Sequence, residues 1–274
     1  MRKLIIIFLL IPLWGSCQRE VLGINKNGRD QVTQPVLIIT WGESNSGGYA
    51  DNGFASGDEL APRTLPILNN NTLLFQPLDV GTNNLIGHTG LTCCTTHGME
   101  IGLANAYEDG DFEGHPVYLV KVGQGGSTIA EWETTDDHYD TMVVRLNAAI
   151  EQILELTGQV PKIFVWGSIG INDRIAGTTT GTFKTAYKQF ITDIRATING
   201  ITGQSHVIPF LFTRFDSMPT NLAYETIFGE IDSEVSDCYA VSTLGADLKD
   251  GNHWQYAGFI LFVPSFITIT ITYL

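Results

Sequence analysis

The chain is poor in positive charge: its 274 residues carry 15 Lys and Arg against 29 Asp and Glu, a formal net charge of −14. Beyond Arg2-Lys3 there is no basic run. Binding a phosphate backbone relies on clustered Lys and Arg, so nucleic acid is excluded as a partner. Cysteine is scarce too, with only Cys17, the adjacent Cys93-Cys94 and the distant Cys238. A zinc site built from Cys93, Cys94 and His97 lacks the usual paired spacing, so no metal is expected. An exported location would permit a disulfide between Cys238 and one of the pair. No apolar run is a good membrane span: Leu4 to Leu13 is too short, and Phe259 to Leu274 is interrupted by Pro264. Internal repeats are absent.

The first segment that is present reads as an address. Met1-Arg2-Lys3 followed by the run Leu4 to Leu13 has the charged and apolar regions of a secretory signal, which assigns residues 1–16 to a signal peptide. Trp14-Gly15-Ser16-Cys17 resembles the lipobox of bacterial lipoproteins, although Trp14 stands where an aliphatic residue is usual. Cys17 is therefore expected to be a lipidated amino terminus on an exported protein, with simple secretion as the alternative. Residues 17–34 are polar and without apolar period, a tether between anchor and domain. A single folded domain is expected over 35–274.

Within that domain, short apolar runs alternate with helical patterns. Val36 to Trp41, Val117 to Val122, Lys162 to Trp166, His206 to Phe212 and Cys238 to Val241 are strand candidates. Apolar positions at Met142, Leu146, Ala149, Ile150, Ile153 and Leu154, and at Phe183, Tyr187, Phe190, Ile191, Ile194 and Ile198, follow the helical period. A third helix is expected over Met99 to Glu108. This alternation specifies a three-layer α/β/α sandwich around a central parallel sheet of about five strands, with its site at the carboxyl ends of those strands. Residues 48–98 form a long irregular insertion of the kind that builds binding surfaces. Phe259 to Leu274 alternates as Ile267-Thr268-Ile269-Thr270-Ile271, which suits a strand or a distorted terminus better than an amphipathic helix.

Three residue types needed for acyl transfer stand where such a sheet would use them. Ser44 directly follows the first strand, and Asp250 and His253 lie three residues apart near the end. A serine hydroxyl is a weak nucleophile until an imidazole takes its proton and a carboxylate fixes the imidazole tautomer. Gly123-Gln124-Gly125-Gly126-Ser127-Thr128 also follows a strand, but it lacks the lysine of a phosphate-binding loop and the third glycine of a dinucleotide turn.

Gly42-Glu43-Ser44-Asn45, Gly123-Gln124-Gly125-Gly126-Ser127, Gly170-Ile171-Asn172-Asp173 and Asp250-Gly251-Asn252-His253 together resemble the four blocks of the SGNH hydrolases. More narrowly, Gly-Glu-Ser-Asn, His97-Gly98-Met99-Glu100 and Lys121 through Trp132 look like the sialate O-acetylesterase and acetylxylan esterase branch. The resemblance implies a flavodoxin-like fold with Ser44 as nucleophile, His253 as base and Asp250 as its orienting carboxylate. It further implies an oxyanion hole from the Ser44 amide, a glycine amide and the Asn172 side chain; Gly125 is taken for the glycine, with Gly126 close behind. No cofactor is implied. The substrate would be an acetylated carbohydrate of the sialic acid or xylan type. A noncatalytic sugar-binding lipoprotein, or an esterase or lipase of non-sugar esters, are the alternatives. Two departures stand out: Glu43 replaces the glutamine common before the nucleophile, and the third block lacks glutamine-glycine-glutamate. Glu43 is read as facing away from the site or as altering substrate preference, and Trp132 and Trp254 either as sugar-stacking platforms or as core.

Overall fold

The computed structural model describes residues 33–57, 59–84, 96–218 and 222–274. Cys17, the signal segment, all but the end of the tether, and Cys93-Cys94 lie outside the described residues. Residues before Pro35 already belong to the described body: the Gln34 side chain donates to the Val160 carbonyl at 3.1 Å and Thr33 donates to that of Gly114 at 3.0 Å.

The centre of the molecule is β1 (Val36–Gly42), every residue of which is buried. A strand covered on both faces has no solvent side, so its sequence is a continuous apolar run and not an alternation. It pairs in parallel with β6 (Val117–Gly123) on one side and β7 (Lys162–Ser168) on the other. Beyond β7 lie β8 (Phe210–Thr213) and β9 (Cys238–Val241), both parallel. Beyond β6 lie β3 (Arg63–Leu68), parallel to it, and β4 (Phe75–Leu78), antiparallel at the edge. The sheet thus has seven strands in the order β4-β3-β6-β1-β7-β8-β9, against the five expected. The two extra strands come from the insertion, whose β2 (Ala50–Asp51) and β5 (Thr96–His97) form a separate small ribbon.

Two long helices cover the sheet with the stripes anticipated above, except that Leu154 is exposed. Helix α3 (Asp137–Thr157) buries Met142, Leu146, Ala149, Ile150 and Ile153, and α5 (Thr180–Thr202) buries Phe183, Tyr187, Phe190, Ile191, Ile194 and Ile198. Trp41 of β1 reaches into this layer, stacked on Phe190 at 3.9 Å between ring centroids. The expected third helix is α2 (Glu100–Asp109). The carboxyl-terminal stretch is a correction: it is a helix, α7 (Tyr256–Ile271), with Pro264 inside it. It buries Phe259, Phe262, Val263, Phe266, Ile267 and Thr270, a three-and-four spacing that packs on α2 and under Trp166. Among the described residues, no helix is long and apolar enough to cross a membrane. Cys238 is a free, buried thiol, and Cys93 and Cys94, with which a disulfide was allowed, lie outside the described residues.

Register brings the functional segments level. Gly42 pairs with Gly123 on one neighbour and with Ser168 on the other, so three strands end together and their following turns share one edge. Glycine at 123 is obligatory: a Cβ there would lie 2.3 Å from the Gly47 amide nitrogen, inside the backbone of the turn that follows the nucleophile.

Candidate active site

Ser44 opens α1 (Ser44–Gly47), a single helical turn at the end of β1, and is 6% exposed. As its first residue the Ser44 amide has no carbonyl one turn back to donate to, leaving an N–H at the helix start. Its Oγ lies 2.9 Å from His253 Nε2, and His253 Nδ1 lies 2.8 Å from Asp250 Oδ2. A carboxylate only accepts, so Nδ1 carries the proton and Nε2 is left as an acceptor for the serine hydroxyl. Burial alone would raise the Asp250 pKa, but the Asn252 amide at 2.8 Å and the His253 ring outweigh it and hold the carboxyl below its ordinary value. Asp250 therefore presents an anion to the imidazole. It caps no helix, since α7 starts only at Tyr256.

The loop carrying His253 is tied down by residues that the sequence did not single out for a role. Asn45 brackets the histidine: its Nδ2 donates to the Asn252 carbonyl at 3.0 Å and its Oδ1 accepts from the Trp254 amide at 3.1 Å. From the opposite side, Arg174 donates to Asn252 Oδ1 at 3.1 Å. Tyr49 lies flat on the imidazole, centroids 4.1 Å apart and planes at 28°, and Lys249 Nζ sits 4.3 Å above the Tyr49 ring. Asn45 was visible as part of its block; Tyr49 carried no signal, because a stacked neighbour 204 residues away leaves no local pattern.

Asn172 stands on α4 (Ile171–Ile175) at the end of β7, and Gly125 lies half-buried in the turn after β6, so both share the edge occupied by Ser44. Gly126, the alternative glycine, adopts a left-handed φ of 82° and is exposed. Glu43 does not face substrate. It is fully buried, its Oε1 accepting from the Ile171 amide at 2.8 Å and its Oε2 from the Asn172 amide at 3.0 Å and from Asn172 Nδ2. Burial is the largest influence on its carboxyl and, with the charge of nearby Asp173, outweighs these donors to push its pKa up to about 8. Asp173, whose Oδ2 accepts the Ile129 amide at 2.9 Å, is likewise raised by burial, to about 6.

The two tryptophans are corrections. Trp132 is 2% exposed, edge-on to Trp41 at 5.4 Å, and donates to Ser127 Oγ at 3.1 Å. Trp254 is 0% exposed, packs on Phe215 and Phe262, and donates to Ser217 Oγ at 2.9 Å. Neither offers a ring face to a sugar. His97 is buried with Nδ1 on Asn52 Oδ1 at 2.8 Å, and Glu100 pairs with Lys121 at 2.8 Å beneath Gly48, both side chains almost wholly buried. Burial opposes ionisation of Glu100, but the Lys121 ammonium prevails and keeps its pKa below the ordinary value.

A mostly parallel sheet between helices, with these four blocks gathered at the carboxyl ends of its strands, defines a hydrolase of the SGNH type acting on ester bonds. Residues 36–262 match the family described as carbohydrate esterase, sialic acid-specific acetylesterase, and the chain belongs to that family. Among solved structures, a protein from Arabidopsis thaliana is similar at a TM-score of 0.63 and 19% identity, over 87% of this chain and 97% of that one. The crystal structure of NanS is similar at a TM-score of 0.65 and 15% identity, over 89% of this chain and 99% of that one. At such identities these likenesses speak to the fold alone. No curated protein sequence matches the chain.

Proposed function

We propose that this carbohydrate acetylesterase removes O-acetyl groups from acetylated glycans, of the sialic acid or xylan type, through an acyl-enzyme on Ser44. The observation that carries the reading is the unbroken chain from Ser44 Oγ to His253 Nε2 and from His253 Nδ1 to Asp250. In the first half-reaction the Ser44 proton passes to Nε2 as Oγ bonds to the acyl carbon. The oxyanion is received by the amides of Ser44 and Gly125 and by Asn172 Nδ2. As the tetrahedral adduct collapses, the C–O bond to the sugar breaks and His253 returns the proton to the departing hydroxyl. Water then repeats the sequence on the acyl-serine, with His253 as base, releasing acetate. Asp250 keeps Nδ1 protonated and offsets the charge of the imidazolium formed at each step.

Assay of acetate release from acetylated sialic acids, acetylated xylan and a small chromogenic acetate tests this reading. Ser44→Ala should remove at least about 10³-fold of the activity in a folded protein. Turnover close to wild type in that variant would end the mechanism. Location belongs to the same proposal: export, with lipid on Cys17 holding the domain at a bacterial membrane, is supported by the order of charged, apolar and small residues before Cys17.

A further inference from the structure

The residue before the nucleophile carries a fully buried carboxyl group that takes no part in the proton transfers above. Buried acidic side chains are rare unless their oxygens are well used, and this one uses both. Three N–H groups converge on it, the amides of Ile171 and Asn172 and the Asn172 side-chain amide, all from residues 128 or 129 positions along the chain. Its own backbone is sewn to the same region, because the Glu43 amide donates to the Ser168 carbonyl at 3.0 Å. One residue thus binds the start and the end of the Ser168–Asn172 turn.

The chemistry of the Asn172 side chain gives this grip a consequence. A carboxamide nitrogen carries two hydrogens in one plane. With one engaged by Glu43 Oε2, the plane of the amide and the direction of the second N–H are set by the residue adjacent to Ser44. Preorganised donors stabilise an oxyanion because they need no reorientation during the reaction, so whatever fixes the donor contributes to the rate without touching substrate.

We propose that Glu43 is a positioning residue for the oxyanion hole, its carboxyl oxygens clamping the Ile171–Asn172 backbone and aiming the Asn172 side-chain amide at the acyl oxygen bound beside Ser44. The nucleophile and this donor are thereby set from consecutive residues of one chain segment. The proposal rests on the catalytic reading given above. It also replaces the idea of Glu43 as a substrate contact: Glu43 acts through Asn172.

The test has two arms on the full domain. In the first, amide hydrogen exchange is followed in the peptide covering 169–175. Protection of Ile171 and Asn172 in the wild type should fall by about tenfold or more in Glu43→Ala while the sheet core stays protected. In the second, kcat and KM for a chromogenic acetate are measured in a double-mutant cycle with Asn172→Ala. Glu43→Ala should lower kcat by about 10²-fold with KM changed by less than about threefold, and should lower it by less than about threefold in the Asn172→Ala background. Glu43→Gln retains an oxygen for the two Asn172 donors and loses only the Ile171 bond, so it should recover at least about tenfold of the loss. An equal loss in both backgrounds, a pure KM effect, or unchanged protection of the two amides would overturn the proposal. Should Glu43→Ala fail to fold, Glu43→Gln carries the cycle, with a drop of about threefold or more expected only when Asn172 is present. A wild type that releases no acetate would refute the catalytic reading alone, since the exchange arm decides the clamp without turnover.

Discussion

Glu43 and Asp173 make the stability of this protein fall as pH rises from acid through neutral. Both carboxyls have folded pKa values above their ordinary ones, about 8 and about 6, because burial disfavours their charged forms. A group of this kind contributes its full stability below its unfolded pKa and loses it as pH rises through the folded value. Unfolding by urea at a series of pH values should therefore show stability falling between about pH 5 and pH 8, by at most about 1.4 kcal/mol per pH unit for Glu43. Glu43→Gln should flatten the upper part of that slope. A wild-type stability that is level or rising across this window would contradict the assignment. At this scale the sequence was most legible where chemistry is local: Ser44, Asp250 and His253 stand in short blocks, and hydrogen bonds of 2.9 and 2.8 Å now join them. It was least legible where the question was which way a side chain faces. Trp132, Trp254 and Glu43 all lie beside the blocks and were open to a substrate reading, yet each is turned into the core by distant partners: Phe190 lies 58 positions from Trp132, Phe215 lies 39 from Trp254, and Ile171 lies 128 from Glu43.

Among the elements, the long helices were readable because their stripes repeat over many turns, while β3 and β4 were missed because both are short and carry a proline, Pro66 and Pro77. Helix α7 was misread for a different reason. Alternating Ile and Thr from 267 to 271 imitates a strand, but burial follows Phe259, Phe262, Val263, Phe266, Ile267 and Thr270. Thr268 stands on the helix exterior, where threonine is tolerated, so the apolar spacing decides. Its packing makes α7 part of the core: Phe266 is 0% exposed with its ring 4.8 Å from that of Trp166. Phe266→Ala should destabilise the domain by about 3–5 kcal/mol in chemical denaturation. A loss below about 1 kcal/mol would mean that the helix is an appendage.

For the whole molecule, the expected three layers and parallel sheet are present, and the blocks converge on one edge because the central strands end in register. The sheet's extent was not legible, since its outer strands come from within the insertion. The body from Thr33 to Leu274 should fold and release acetate by itself. Full-length protein should partition with membranes, and Cys17→Ser should release it without loss of turnover. A soluble wild type whose mature amino terminus carries no lipid by mass spectrometry would remove the anchor and leave the esterase reading standing.

The hydrogen bond between Ser44 and His253 joins residues 209 positions apart, one after the first strand and the other just before the last helix. A chain emerging from its amino end therefore holds the hydroxyl without its proposed base until 209 further residues have appeared. Such distant closure is slow relative to local helix formation, so on the proposed mechanism the protein stays chemically silent until the loop carrying His253 has docked against Ser44.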